Sequence, residues 1–179
     1  MRSPIRILAA ALALALLGAA LPAVAGAKAK KGCKHGTVKH AGACVPKPPR
    51  GVPFAGYYAT TTAQGTVALG VQHTGAGWRV VLKVTALPST ITCADGSRPP
   101  YAFFTKGTAK LRGTRFDWRG TYNGSATSGS GKFLTARKVQ VSGSIPGSNG
   151  AGVYGDGVAC TADYAISGAL KPGTSRDLA

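Results

Sequence analysis

Two cysteines and two histidines crowd into "GCKHGTVKHAGAC", at Cys33, His35, His40 and Cys44. Such a set could bind zinc, or the thiols could close a disulfide and leave the imidazoles free. A zinc knuckle uses paired C-x2-C and H-x3-H spacings, which set two ligands at neighbouring tetrahedral corners. Those spacings are absent here. A disulfide clasp is the expected chemistry if the chain folds in an oxidising compartment, with His35 and His40 as exposed loop residues.

Acid–base or nucleophilic chemistry has little to draw on. The chain has five acids, all aspartate: Asp95, Asp117, Asp156, Asp163 and Asp177. Asp95 in "ADGS" and Asp156 in "YGDG" read as turn residues. Asp117 sits between two arginines, and Asp163 falls on the polar side of an alternating run. The remaining histidine, His73, lies beside a glycine-rich turn, and no G-x-S-x-G elbow occurs. "SATSGSGK", Ser125 to Lys132, has the composition of a phosphate loop without its G-x4-G-K-[ST] order, and reads as a flexible hairpin loop. No catalytic, cofactor-binding or metal-binding residue is expected, and the chain is expected not to be an enzyme.

The strongest chemical signal is cationic. In "AKLRGTRFDWRGTY" a tight hairpin buries Ala109, Leu111, Phe116 and Trp118 and turns Lys110, Arg112, Arg115, Asp117 and Arg119 to the other side. Guanidinium groups grip carboxylate or phosphate with two parallel hydrogen bonds. Lys110, Arg112, Arg115 and Arg119 therefore form a candidate anion-binding patch. The competing explanation is a solvated sheet face whose charge discourages edge pairing. Trp78 and Trp118 fall on the apolar side and are expected in the core.

The elements that must position these residues begin with a leader. Arg2 and Arg6 precede an apolar run from Ile7 to Leu21; Pro22 and the small residues Ala23-Val24-Ala25 follow. This is the pattern of a secretory signal peptide, residues 1–25, with a run too short for a membrane span of about 20 residues. Export implies oxidised thiols. Four cysteines allow three pairings. Spacing favours Cys33–Cys44, close together in one segment, and Cys93–Cys160; loop-closure entropy then contributes about 3 and about 4 kcal/mol. The first clasp, Cys33-x2-Gly36 then Gly42-x-Cys44-Val45, resembles small cysteine-closed hairpins of secreted proteins.

Residues 26–51 carry seven cations, Lys28, Lys30 and Lys31 among them, with no acid. They read as a mobile basic arm ending in the extended Pro-rich linker "PKPPRG". Residues 52–179 read as one domain. The whole chain has 22 basic and 5 acidic residues; without the two leader arginines the balance is 20 − 5 = +15. Such an excess attracts anionic polymers.

Apolar residues alternate at Val67, Leu69 and Val71; at Trp78, Val80, Leu82 and Val84; at Phe116 and Trp118; at Val139 and Val141; and at Cys160, Ala162, Tyr164 and Ile166. Period two over short runs predicts half-buried strands. Asn123-Gly124 predicts a two-residue type I′ turn. The expected fold is all-β, a single antiparallel sandwich or barrel of about seven to ten strands. In the layout of "GYYATTTAQGTVALGV", "CADGSRPP", "TRFDWRGTY", "VSGSIPGSNGAGVYG" and "ACTADYAISG", the body resembles a broad set of uncharacterised secreted β-domain proteins from GC-rich bacteria. The resemblance implies a fold and no activity.

The expected function is a secreted, non-enzymatic β-domain that attaches weakly to an anionic envelope or extracellular polymer, without sequence-specific nucleic-acid binding and without a transmembrane segment in the mature chain. The basic arm is expected to contribute more of the binding than the fixed patch. The alternatives are an extracellular hydrolase, which needs a close carboxylate pair, and a small-ligand carrier with a barrel cavity.

Overall fold

A computed structural model describes residues 32–148 and 158–179. The expected leader, Lys28, Lys30 and Lys31 of the arm, and Asp156 lie outside the described residues. The compact unit that contains the described strands runs from Cys33 to Ala179.

The chain is all-β, as its alternation predicts. Strands β1 (Thr37–His40) and β2 (Ala43–Pro46) form a separate hairpin. Its turn is Ala41-Gly42, both at positive φ (47° and 84°), which is the twist a two-residue hairpin requires. Cys33 and Cys44 are bonded across it. His40 lies on β1 rather than in a loop, and its ring stacks on Phe54 at 3.9 Å. The Pro-rich run does not stay extended. The Lys47 amide donates to the Gly36 carbonyl, and a turn closes where the Val52 amide donates to Pro49.

The remaining strands form one ten-stranded antiparallel sheet. They are β3 (Gly56–Thr62), β4 (Gly65–Thr74), β5 (Gly77–Ala86), β6 (Ile91–Cys93), β7 (Phe103–Lys110), β8 (Arg115–Tyr122), β9 (Ser125–Thr135), β10 (Lys138–Ser148), β11 (Ala159–Ala169) and β12 (Lys171–Pro172). Eight of them run as an up-and-down meander, β3-β4-β5-β7-β8-β9-β10-β11. The sheet curls until its ends meet. β12 directly continues β11 and pairs with β3, so the last strand returns to the first. Along the seam Thr60 of β3 fills the space over Gly168 of β11, and Gln64, in the β3–β4 turn, accepts the Ala165 amide at 2.8 Å. Short β6 covers the other end of β11, with Cys93 directly opposite Cys160 and bonded to it. Asn123 and Gly124 both take positive φ, 46° and 81°, in the β8–β9 turn, as that dipeptide predicts.

The core fills the inside of the curl. Val67, Leu69, Val80, Leu82, Val84, Phe103, Phe116, Trp118, Phe133, Val141 and Ile166 are all buried. Here "SATSGSGK" departs from its expected role as a flexible loop: Ser125–Thr135 is β9, paired on both sides. Its glycines face inward at alternate positions. A β-carbon on Gly129 would lie 2.7 Å from Trp118 Nε1, and one on Gly131 would overlap the Phe116 ring. Small residues on the inner side leave room for large rings from the neighbouring strand. Composition suggests a loop, while the period of two, carried by glycine instead of an apolar side chain, encodes a strand.

Another departure concerns β4. Ala68 and Gly70, on the opposite face of β4 from Val67, Leu69 and Val71, are buried too, so this strand is covered on both sides rather than half-buried. The C-terminal 3-10 turn Ser175–Leu178 lies over them, with a Leu178 methyl 3.0 Å from where a Gly70 β-carbon would stand. The turn is fixed by a capping box in which the Thr174 amide donates to the Asp177 carboxylate at 2.6 Å.

Candidate functional site: a cationic sheet face

Alternation fixes which side chains reach the outside. Each buried residue of β7 and β8 is flanked by exposed ones, so Phe104, Lys106, Thr108 and Lys110 leave β7 outward, and Arg115, Asp117, Arg119 and Thr121 leave β8. The expected split of the "AKLRGTRFDWRGTY" hairpin holds. Ala109, Leu111, Phe116 and Trp118 are buried, and Lys110, Arg112, Arg115, Asp117 and Arg119 are exposed. Its turn is closed by Arg112 and Arg115, which exchange both backbone hydrogen bonds at 2.8 and 3.0 Å.

Register enlarges the patch beyond what the hairpin alone contains. On β5, Arg79 stands opposite Lys110 and Lys83 opposite Lys106. On β9, Lys132 stands opposite Arg115. These are three directly opposed like-charged pairs. The face continues as a hydroxyl and amide lawn: Ser128 opposite Arg119, Ser130 opposite Asp117, then Gln140 and Ser142 on β10 beside Lys132 and Ser130. Asp117 is the acid of this face. Arg79 and Lys83 on β5, Lys106 at the far end of β7 from Lys110, and Lys132 on β9 lie outside the hairpin's own stretch, and strand pairing brings them to the patch.

Two clefts open on this face, on either side of Asp117. The larger, about 510 Å³, is lined by Trp78, Arg79, Thr108, Lys110, Asp117 and Arg119 together with the β4–β5 turn. It lies where the β7–β8 ladder is interrupted. Pairing covers Lys106–Thr108 against Arg119–Thr121 and resumes at the Arg112–Arg115 bridge. The smaller, about 350 Å³, is lined by Arg115, Asp117, Ser130, Lys132, Gln140 and Ser142. Arg112 lines neither. Trp78, expected in the core, is only half-buried: it packs against the core and also borders the larger cleft, with His73 edge-on at 5.1 Å.

The other chemically capable groups are dispersed. Asp95 accepts the Ser97 hydroxyl at 2.6 Å and the Ser97 amide at 2.9 Å, and these hydrogen bonds hold its carboxyl below the usual range. Asp177 is engaged in its capping box, and Asp163 is exposed on β11. All four cysteines are in disulfides. Among the described residues no group of three His, Cys, Asp or Glu side chains could hold a metal ion, and no helix is long and apolar enough to cross a membrane.

Two buried polar atoms lie inside the barrel. Trp118 Nε1 and Tyr164 Oη have no hydrogen-bond partner. They aim at Gly129 and Gly143, which face each other across β9 and β10. Burial pushes the Tyr164 phenol well above its ordinary value. No family model, no curated protein and no solved structure matches this chain.

Proposed function

We propose that the protein is an exported, non-enzymatic β-domain that attaches to an anionic polymer of the cell envelope or its surroundings, through the outer face of β5, β7, β8 and β9. One observation carries this reading: the three like-charged cross-strand pairs, Arg79–Lys110, Lys83–Lys106 and Arg115–Lys132. Like charges directly opposite each other destabilise a sheet by a few tenths to about 1 kcal/mol each. Edge protection does not account for them, because β5, β7, β8 and β9 are paired on both sides and have no free edge. An anionic polymer laid across the face turns this repulsion into attraction and releases counterions as it binds. Lys28, Lys30 and Lys31 add to the same attraction from the N-terminal segment.

The leader pattern and the two disulfides support export. The test is retention of the protein on immobilised anionic and neutral glycans across a salt series. Retention on the anionic matrix alone, falling steeply with salt, is expected. Equal retention on both matrices would overturn the reading.

A further inference from the structure

We infer that the polymer recognised by this face is an acidic polysaccharide, whose carboxylates are gripped by the cations and whose hydroxyls are received by Asp117. The inference rests on the attachment proposed above and names the ligand's chemistry. Asp117 stands at the junction of the two clefts, exposed, and lines both. A chain crossing from one cleft to the other must pass it. For a polyphosphate or nucleic-acid backbone, with charge at every step, a fixed carboxylate on the path repels. For a uronate chain it is an asset, because each sugar carries one carboxylate and several hydroxyls, and a carboxylate oxygen is a strong acceptor for hydroxyl protons.

The rest of the lining fits the same chemistry. Arg119 in the larger cleft and Arg115 in the smaller offer the planar fork that suits a sugar carboxylate, and Arg79, whose Nε donates to Gln72 Oε1 at 3.0 Å, adds its charge to the larger cleft. Thr108, Ser130, Gln140 and Ser142 supply neutral donors and acceptors between the charges. Trp78, half-buried and packed against the core, also borders the larger cleft. The exposed ring of this face, Phe104, lies under the Lys83 ammonium at 5.6 Å.

The experiment measures binding of hexagalacturonate, maltohexaose and linear polyphosphate to the protein and to Asp117→Asn, with melting curves to show that the exposed substitution leaves the fold intact. Asp117→Asn is expected to weaken hexagalacturonate binding about tenfold, the loss of a charged hydrogen-bond acceptor, and to strengthen polyphosphate binding. Maltohexaose is expected to bind neither form. If Asp117→Asn strengthens both anions, Asp117 only repels; the polysaccharide inference then falls while electrostatic attachment stands. If neither anion binds in a salt-dependent way, the attachment reading falls with it.

Discussion

On the inner side of β8, Phe116 and Trp118 are each 1% exposed and press onto the glycines of β7 and β9. On the outer side of the same strand, Arg115, Asp117 and Arg119 stand in solvent beside Lys132 and a row of serines. The inner face is fitted by volume, ring over glycine, and its buried hydroxyls are mostly satisfied, as where Thr105 and Thr127 bond at 2.6 Å. The outer face follows no such rule. It opposes like charges three times on central strands, where hydroxyl or mixed-sign pairs would be more stable. On β7, β8 and β9 stability is concentrated on one side of the strand, and this leaves the other side free to carry charge that the fold itself does not need.

The comparison breaks most easily at Trp118 and Arg119, neighbours on opposite faces. Trp118→Ala is expected to lose about 4 kcal/mol of stability. Arg119→Ala is expected to stay within about 0.5 kcal/mol. Denaturant unfolding checks both; a large loss for Arg119→Ala would mean that the outer face is structural.

Gly131 sharpens the same point from the opposite direction. Gly131→Ala places a methyl group into the Phe116 ring and is expected to cost about 2 kcal/mol. Ser130→Ala, one residue away and outward, is expected to be neutral in the same unfolding assay.

Tyr164, like Trp118 Nε1, is an exception on the inner face, since its hydroxyl is buried without a partner. Tyr164→Phe is expected to be neutral or to stabilise by about 1 kcal/mol at pH 8, because an unsatisfied group is removed. Its phenol is raised in the folded state, so its contribution is fully present below the unfolded value of about 10 and is lost as pH rises above that. The native protein should therefore lose stability between pH 9 and about 11 more steeply than Tyr164→Phe. Parallel losses across that range would show that the phenol ionises as easily in the folded protein as in water.

Much of the inner face was legible in the sequence. Period-two runs placed Val67 to Val71, Val80 to Val84 and Cys160 to Ile166 on strands, Asn123-Gly124 announced its turn, and the cysteine spacing announced both disulfides. What failed was β9, where the residues facing inward are glycines and the hydrophobic signal vanishes although the period persists. The covering of Ala68 and Gly70 was also hidden, because nothing near β4 says that the C-terminal turn folds back over it. The outer face was half legible. The hairpin puts Lys110, Arg112, Arg115 and Arg119 together by local alternation alone. Bringing Arg79, Lys83 and Lys132 beside them depends on which strands pair and in what register, and no short stretch encodes that. Trp78 was misplaced for a related reason. Its alternation is inward, yet it lies near the end of β5 beside the β4–β5 turn, where it remains half-buried.

The smallest expected effect on stability separates the two faces in sign. Replacing one member of each like-charged pair, as in Arg79→Gln, Lys83→Gln and Lys132→Gln together, should raise the low-salt melting temperature slightly, because repulsion of a few tenths of a kcal/mol per pair is removed. Scanning calorimetry at low and high salt would show the gain at low salt only. A lower melting temperature would mean that these cations stabilise the sheet.

That triple variant also provides the most direct test of the central claim, that the outer face is built to receive an anionic polymer. The measurement is the affinity for polygalacturonate of native protein and triple variant, as a function of salt. The account predicts that log K falls with log salt for both, with the native slope steeper by about 2, since three neutralised charges release correspondingly fewer counterions. Parallel lines of equal affinity would contradict it, and would place whatever binding exists away from β5, β7, β8 and β9.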